Sequence, residues 1–110
     1  MSYIPEKGDI IWIELDPQSG REQAGHRPCI VVSPKIYNKC GLAVICPITN
    51  RTKGFRWEVP LSSENVTTGY ILSDQVKNLD WEKRNAQFRE AVSKEVLIEV
   101  QRRLKLLLLN

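Results

Sequence analysis

The stretch REQAGHRPCIVVSP, Arg21 to Pro34, crowds ionisable side chains against the start of an apolar run. Arg27 stands before Pro28, and a proline biases the residue before it toward extended backbone. Its guanidinium is thus expected on a stiff anchor at the mouth of a strand. A planar fork of donors that never loses its charge suits a phosphate. Glu22 lies on the flexible side of the stretch, where it is either a base or a partner for an arginine. His26 is an acid or base by residue type. Side chains alternate along an extended chain, so His26 and Arg27 are expected to point to opposite sides. A solvated loop with one salt bridge is the plainer reading of the same residues.

A second stretch, TNRTKGFRW from Thr49 to Trp57, interleaves Arg51, Lys53 and Arg56 with Phe55 and Trp57. That composition fits single-stranded nucleic acid. Cations track the phosphates, and each base stacked on an aromatic ring contributes about 1–3 kcal/mol. Thr49 follows an apolar run and offers a hydroxyl to a phosphate. The alternative is a hairpin turn at Lys53-Gly54 with Trp57 in the core. A third stretch, LSDQVKNLDW from Leu72 to Trp81, sets Asp74 between Ser73 and Gln75 in apolar surroundings. Asp74 is either a buried hydrogen-bond acceptor or a reacting group.

Other chemistries lack their residues. There is no glycine-rich phosphate loop and no G-x-S-x-G elbow, and the single histidine limits catalytic triads. No cluster of acids suggests a magnesium site. The three cysteines, Cys29, Cys40 and Cys46, are odd in number and not spaced C-x-x-C. They read as free thiols, with neither zinc nor a disulfide framework expected. The net charge of +3 and pI near 8.9 permit a polyanionic partner without requiring one.

The elements that must carry these residues fit one domain, residues 1–110. Composition is that of a soluble globular chain, 42% hydrophobic and 26% charged. The longest apolar run, Leu106–Leu109, falls far short of the ~20 residues a bilayer requires. The N-terminus lacks the layout of a secretory signal, so a cytoplasmic location is expected. Strands are expected at Asp9–Leu15, Arg27–Ser33, Leu42–Ile48 and Arg56–Leu61, with weaker ones at Gly69–Val76 and Ala86–Glu90. Asp16–His26 is a loop, punctuated by Pro17, Gly20 and Gly25; loops this long in a compact β domain are often functional. The turn NKCG leads into the third strand, and Pro47 suggests a sheet edge or a strand end. From Ser93 to Leu109 the apolar spacing becomes helical, with Ser93 as N-cap. The expected architecture is mainly β, a small bent antiparallel sheet or barrel with a C-terminal helix against it. Leu106–Leu109 exceed one apolar stripe and belong either to the core or to a subunit interface.

Taken together, GDIIWIELDP, EQAGHRPCIVVSP, CPITNRTKGF and LSDQVKNLDW resemble, in order, the MazF/PemK family of toxin endoribonucleases. G-H-R-P before an apolar strand is the most specific of these pieces. The resemblance implies the SH3-like barrel shared by MazF, Kid and CcdB toxins, and a homodimer. It implies metal-independent, cofactor-free cleavage of single-stranded RNA at a short sequence. It also implies inhibition by an acidic, MazE-like antitoxin. Carried onto this chain, the catalytic positions are Arg27, Thr49 and Glu22, with His26 and Asp74 as secondary candidates. The RNA-contacting positions are Arg51, Lys53, Phe55, Arg56, Gln75 and Lys77. The Kid/PemK branch has a catalytic arginine where this chain has Ser73, which favours the MazF branch. CcdB toxins share the barrel and poison gyrase without cutting nucleic acid, which leaves a non-enzymatic toxin as the rival reading.

If the cleavage is metal-independent, incubation of the purified protein with single-stranded RNA in excess EDTA should leave the rate unchanged. Loss of cutting in EDTA, restored by magnesium, would refute this.

Overall fold

The computed structural model describes residues 2–15 and 25–109. The described residues form a seven-stranded antiparallel sheet and two helices. In chain order these are β1 (Asp9–Leu15), β2 (Gly25–Val31), α1 (Lys35–Asn38), β3 (Leu42–Thr49), β4 (Glu58–Pro60), β5 (Tyr70–Leu72), β6 (Lys77–Asp80), β7 (Gln87–Ala91) and α2 (Lys94–Leu109). The strand order is β4-β5-β3-β2-β1-β7, with β6 also paired to β3.

Both faces of the central strands are buried, so their sequences are apolar runs rather than strict alternations. Odd-numbered residues of β1 to β3 enter one core: Ile11, Ile13, Leu15, Cys29, Val31, Ala43 and Ile45, closed by Leu79 and Trp81. Even-numbered ones enter the other: Ile10, Ile30, Cys46 and Ile48, with Val59 and Ile71, covered by Val96 and Val100 of α2. Each such side chain contributes roughly 1.5–3 kcal/mol by leaving water. Helix α2 begins where the spacing predicts, and the Ser93 hydroxyl accepts the Val96 N–H at 3.2 Å as a cap. Leu106 to Leu109 are 51%, 37%, 65% and 78% exposed, so the apolar tail joins neither core.

The structure corrects several expectations. Gly69–Val76 is not one strand. β5 pairs with the second half of β3 (Ile48, Thr49), whereas β6 pairs with the first half (Leu42–Ile45). The chain must step along β3 between them, and it does so in the 3-10 turn Ser73–Gln75. Pro47 marks neither an edge nor an end. It lies inside β3, between the residues that β6 and β5 pair with, where a missing N–H costs no ladder bond. Gly25 and His26, expected in the loop, pair with Leu15 and Glu14 and extend β2 toward its start. The short helix α1 was not expected. It rests on the Pro34 carbonyl, which accepts the Tyr37 and Asn38 N–H groups, each at 3.0 Å. Buried Asn38 then donates to the Pro5 and Ser33 carbonyls at 2.9 and 3.0 Å.

One carboxylate holds the connection between β4 and β5. Glu90 of β7 accepts the Asn65 side-chain amide at 3.0 Å and the N–H groups of Val66 and Thr67 at 3.1 and 2.6 Å. Burial works against its charged form, but these hydrogen bonds outweigh it and draw the carboxyl from 4.5 to about 2. A depressed folded-state value stabilises the fold above pH 4.5 and loses that contribution as the pH falls toward 2. Glu90→Gln should therefore lower the melting temperature at neutral pH and flatten its dependence on pH in that acid window. Thermal unfolding at several pH values checks this; parallel wild-type and variant profiles would contradict it.

Candidate active site

Arg27 is half-buried in β2, paired with Ile13 of β1. The β2–β3 register runs Val31 to Ile45, Ile30 to Cys46 and Cys29 to Pro47. Continued by two residues on each strand, it brings Arg27 opposite Thr49, on the face that buries Cys29 and Val31. Lys77 of β6 pairs with Ile45 and belongs to that same face. Burial pushes the Cys29 thiol up to about 12 against the opposing pull of the Lys77 and Arg27 charges. Three residues far apart in sequence share one end of one core.

Thr49 is 6% exposed, and its Oγ1 accepts the Arg51 N–H at 3.2 Å. On its other side it pairs with Tyr70. Gly69 makes this approach possible. It holds φ +122°, and a Cβ there would stand 2.5 Å from the Thr49 carbonyl oxygen. The Asn50 side-chain oxygen accepts the Thr68 hydroxyl at 2.9 Å and ties the same two segments together.

The basic loop after Thr49 lies open. Arg51 through Arg56 are all exposed, and Phe55 is 55% exposed. A carboxylate that sequence reading missed, Glu58, organises it. Its Oε1 accepts the Thr52 hydroxyl and its Oε2 accepts the Lys53 N–H at 3.0 Å. The hydrogen bond from Thr52, followed by the one from Lys53, lowers the carboxyl from its usual value. The only sequence signal was a lone acid heading a strand directly after a run of cations. Trp57 is half-buried rather than in a core. It lines a cleft of about 600 Å³ with Arg56, Glu99, Arg102, Arg103 and Leu106. Arg103 ion-pairs with Glu99 and donates through Nε to the Arg56 carbonyl at 2.8 Å.

The remaining candidates separate. His26 faces away from Arg27, as the strand period requires. Its Nδ1 lies 2.7 Å from Glu14 Oε1, and its ring stacks on Trp12 at 5.5 Å. Arg89 stands over the Trp12 ring at 4.5 Å. Asp74 is exposed in the 3-10 turn, so it is not a buried acceptor. The buried polar group there is Ser73, whose hydroxyl has no hydrogen-bond partner among the described residues. Gln75, in the same turn, is half-buried. Glu22 lies outside the described residues. Among the described residues, no three His, Cys, Asp or Glu side chains gather as a metal site would need.

A half-buried arginine, a buried threonine and a half-buried lysine that the registers assign to one face, with an exposed cationic loop after the threonine, are suited to holding a phosphodiester. Residues 6–108 match the PemK-like, MazF-like toxin of type II toxin–antitoxin systems. The chain belongs to this toxin family. It is 41% identical over 107 residues to the endoribonuclease toxin MazF of Escherichia coli K12, covering 96% of each chain. It superposes on MazF of Deinococcus radiodurans with a TM-score of 0.93 and 39% identity, covering 99% of this chain and 100% of the other. For the MazE–MazF complex of that organism the values are 0.88 and 40%, covering 97% of each. These matches favour the MazF reading over the gyrase-poison one, and they establish the toxin fold of a β sheet with a C-terminal helix.

The approach of Gly69 to Thr49 makes a prediction for this toxin. Gly69→Ala adds a Cβ against backbone in a region of φ that costs about 1–3 kcal/mol for other residues. Gly54→Ala carries a positive φ as well, +73°, but meets nothing within 4 Å. Thermal denaturation should show a clearly larger loss for Gly69→Ala. Equal losses would mean that the contact with Thr49 is unimportant.

Proposed function

We propose that this toxin is an endoribonuclease that cuts single-stranded RNA, mRNA included, at a short sequence, and so arrests translation and growth. RNA carries its own nucleophile, the 2′-hydroxyl. The protein has to remove that proton, align the oxygen with phosphorus and stabilise charge on the phosphoryl oxygens. Arg27 serves the last need, because it stays charged at any working pH and is fixed on paired backbone. Thr49 orients the scissile phosphate, and Glu22 is the base. His26 becomes the less suitable acid, since it shares the opposite face with Glu14 and Trp12. The products are a 2′,3′-cyclic phosphate and a 5′-hydroxyl. The observation that supports this reading is the β2–β3 register, Cys29 to Pro47, which, continued by two residues on each strand, would set Arg27 opposite Thr49.

The RNA beyond the scissile bond runs along Arg51, Lys53, Phe55 and Arg56, with Gln75 and Lys77 beside it. The partner is a MazE-like antitoxin with an acidic segment. The net charge of +3 and the MazE–MazF complexes of the Deinococcus relatives support this. The active form is a homodimer, for which the exposed Leu106–Leu109 tail offers apolar surface. It works in the cytoplasm; no helix among the described residues is long and apolar enough to cross a membrane.

Mass spectrometry of RNA fragments from a pool of many short sequences tests the reaction. Cyclic-phosphate ends with matching DNA left intact are expected; an uncut pool would turn attention to topoisomerase inhibition. Arg27→Ala should reduce the cleavage rate by ~10²-fold or more, as removal of one preorganised charge stabiliser does. Near-normal cutting by a folded variant would remove Arg27 from the site.

A further inference from the structure

The loop from Arg51 to Arg56 presents three cations and an aromatic ring to solvent, and such a loop does not hold one shape on its own. Like charges repel, and every ordered residue costs conformational entropy. Glu58 supplies the constraint. It heads β4, is 9% exposed, and pairs with Leu72 in the sheet. One carboxylate oxygen takes the Thr52 hydroxyl, and the other takes the Lys53 N–H at 3.0 Å. The Thr52 oxygen in turn accepts the Gly54 N–H at 3.1 Å. The Glu58 N–H donates to the Phe55 carbonyl at 3.1 Å. Four consecutive residues, Thr52 to Phe55, are thereby hung from one side chain and its own backbone. The far end of the loop is held separately, by Arg103 on the Arg56 carbonyl.

Burying a carboxylate is costly unless hydrogen bonds compensate. Here both of its oxygens are spent on the loop rather than on the core. In the sheet order, β5 and β3 stand between Glu58 and the strand of Arg27. We propose that Glu58 is the positioning residue of the basic loop, fixing the directions of Lys53 and Phe55 and so setting which RNA sequence the toxin prefers. This rests on the reading of the loop as an RNA contact.

The test measures kcat and KM on the preferred RNA sequence, and the cut profile over a randomised RNA pool, for wild type, Glu58→Ala, Glu58→Gln and Thr52→Val. Loss of a hydrogen bond to a charged group corresponds to about tenfold or more. Glu58→Ala should raise KM by that factor, keep kcat within about twofold, and flatten the sequence preference. Glu58→Gln keeps part of the acceptor capacity and should fall between. Thr52→Val removes one arm while leaving β4 intact, and keeps the test valid if Glu58→Ala fails to fold. A merely structural staple would lower the melting temperature and the active fraction but leave KM and the cut profile as in wild type. That result would overturn the proposal. A wild-type protein that cuts no RNA would instead overturn the functional reading on which it rests.

Discussion

The pairing of β3 is the constraint on which the rest of the molecule depends. One edge of this strand bonds to β2, while the other bonds first to β6 and then to β5. A strand of eight residues with three partners cannot slip. A shift of one residue would exchange the two cores, because side chains alternate between faces. The lock fixes Thr49 against Tyr70 of β5, and it forces the 3-10 step between β5 and β6. It also explains Pro47. A proline inside a central strand is normally excluded, but the handover between two partners leaves one position with no bond to lose.

This bears on what a sequence can reveal. β1, β3 and α2 were legible because each has a strong local signal: a β-branched run, an apolar run bounded by turns, a helical period behind a serine cap. β5 was expected to run on to Val76, through the turn, and β6 was missed, because the residues GYILSDQV carry no breaker. The break comes from β3, far away in sequence, and tertiary demand overrides local propensity. α1 escaped notice for a related reason. Its key residue, Asn38, binds the Pro5 and Ser33 carbonyls, and no local pattern announces such a bond. Arg27 and Thr49 could be singled out by residue type and resemblance, whereas the register that relates their strands is not written in either stretch.

The loops are shaped by acids borne on strands. Glu90 collects the donors of Asn65, Val66 and Thr67, and Glu58 collects those of Thr52 and Lys53. The physics is shared. A turn leaves backbone N–H groups pointing inward with no strand to receive them, and a single ionised carboxylate satisfies two or three at once. Charge-assisted bonds are stronger than neutral ones, so one side chain can order a segment with no core of its own. Neither acid stood out in the sequence, where an acid among cations reads as ordinary surface.

The two faces of the sheet divide the labour. Neighbours in sequence part company: Arg27 goes to the face of Cys29 and Lys77, while His26 goes to the face of Trp12, Glu14 and Arg89. Residues distant in sequence converge instead. His26 and Arg27, adjacent in the sequence, therefore belong to two opposite faces, separated by the thickness of a strand. On the His26 side, stacking on Trp12 and the close contact of Nδ1 with Glu14 brace the beginning of β2. That bracing matters to the opposite face, because the Arg27 guanidinium can be held to a phosphate only as firmly as its backbone is held to β1. A histidine that reads as a catalytic acid by type thus contributes here to fastening the start of β2, through its contacts with Glu14 and Trp12.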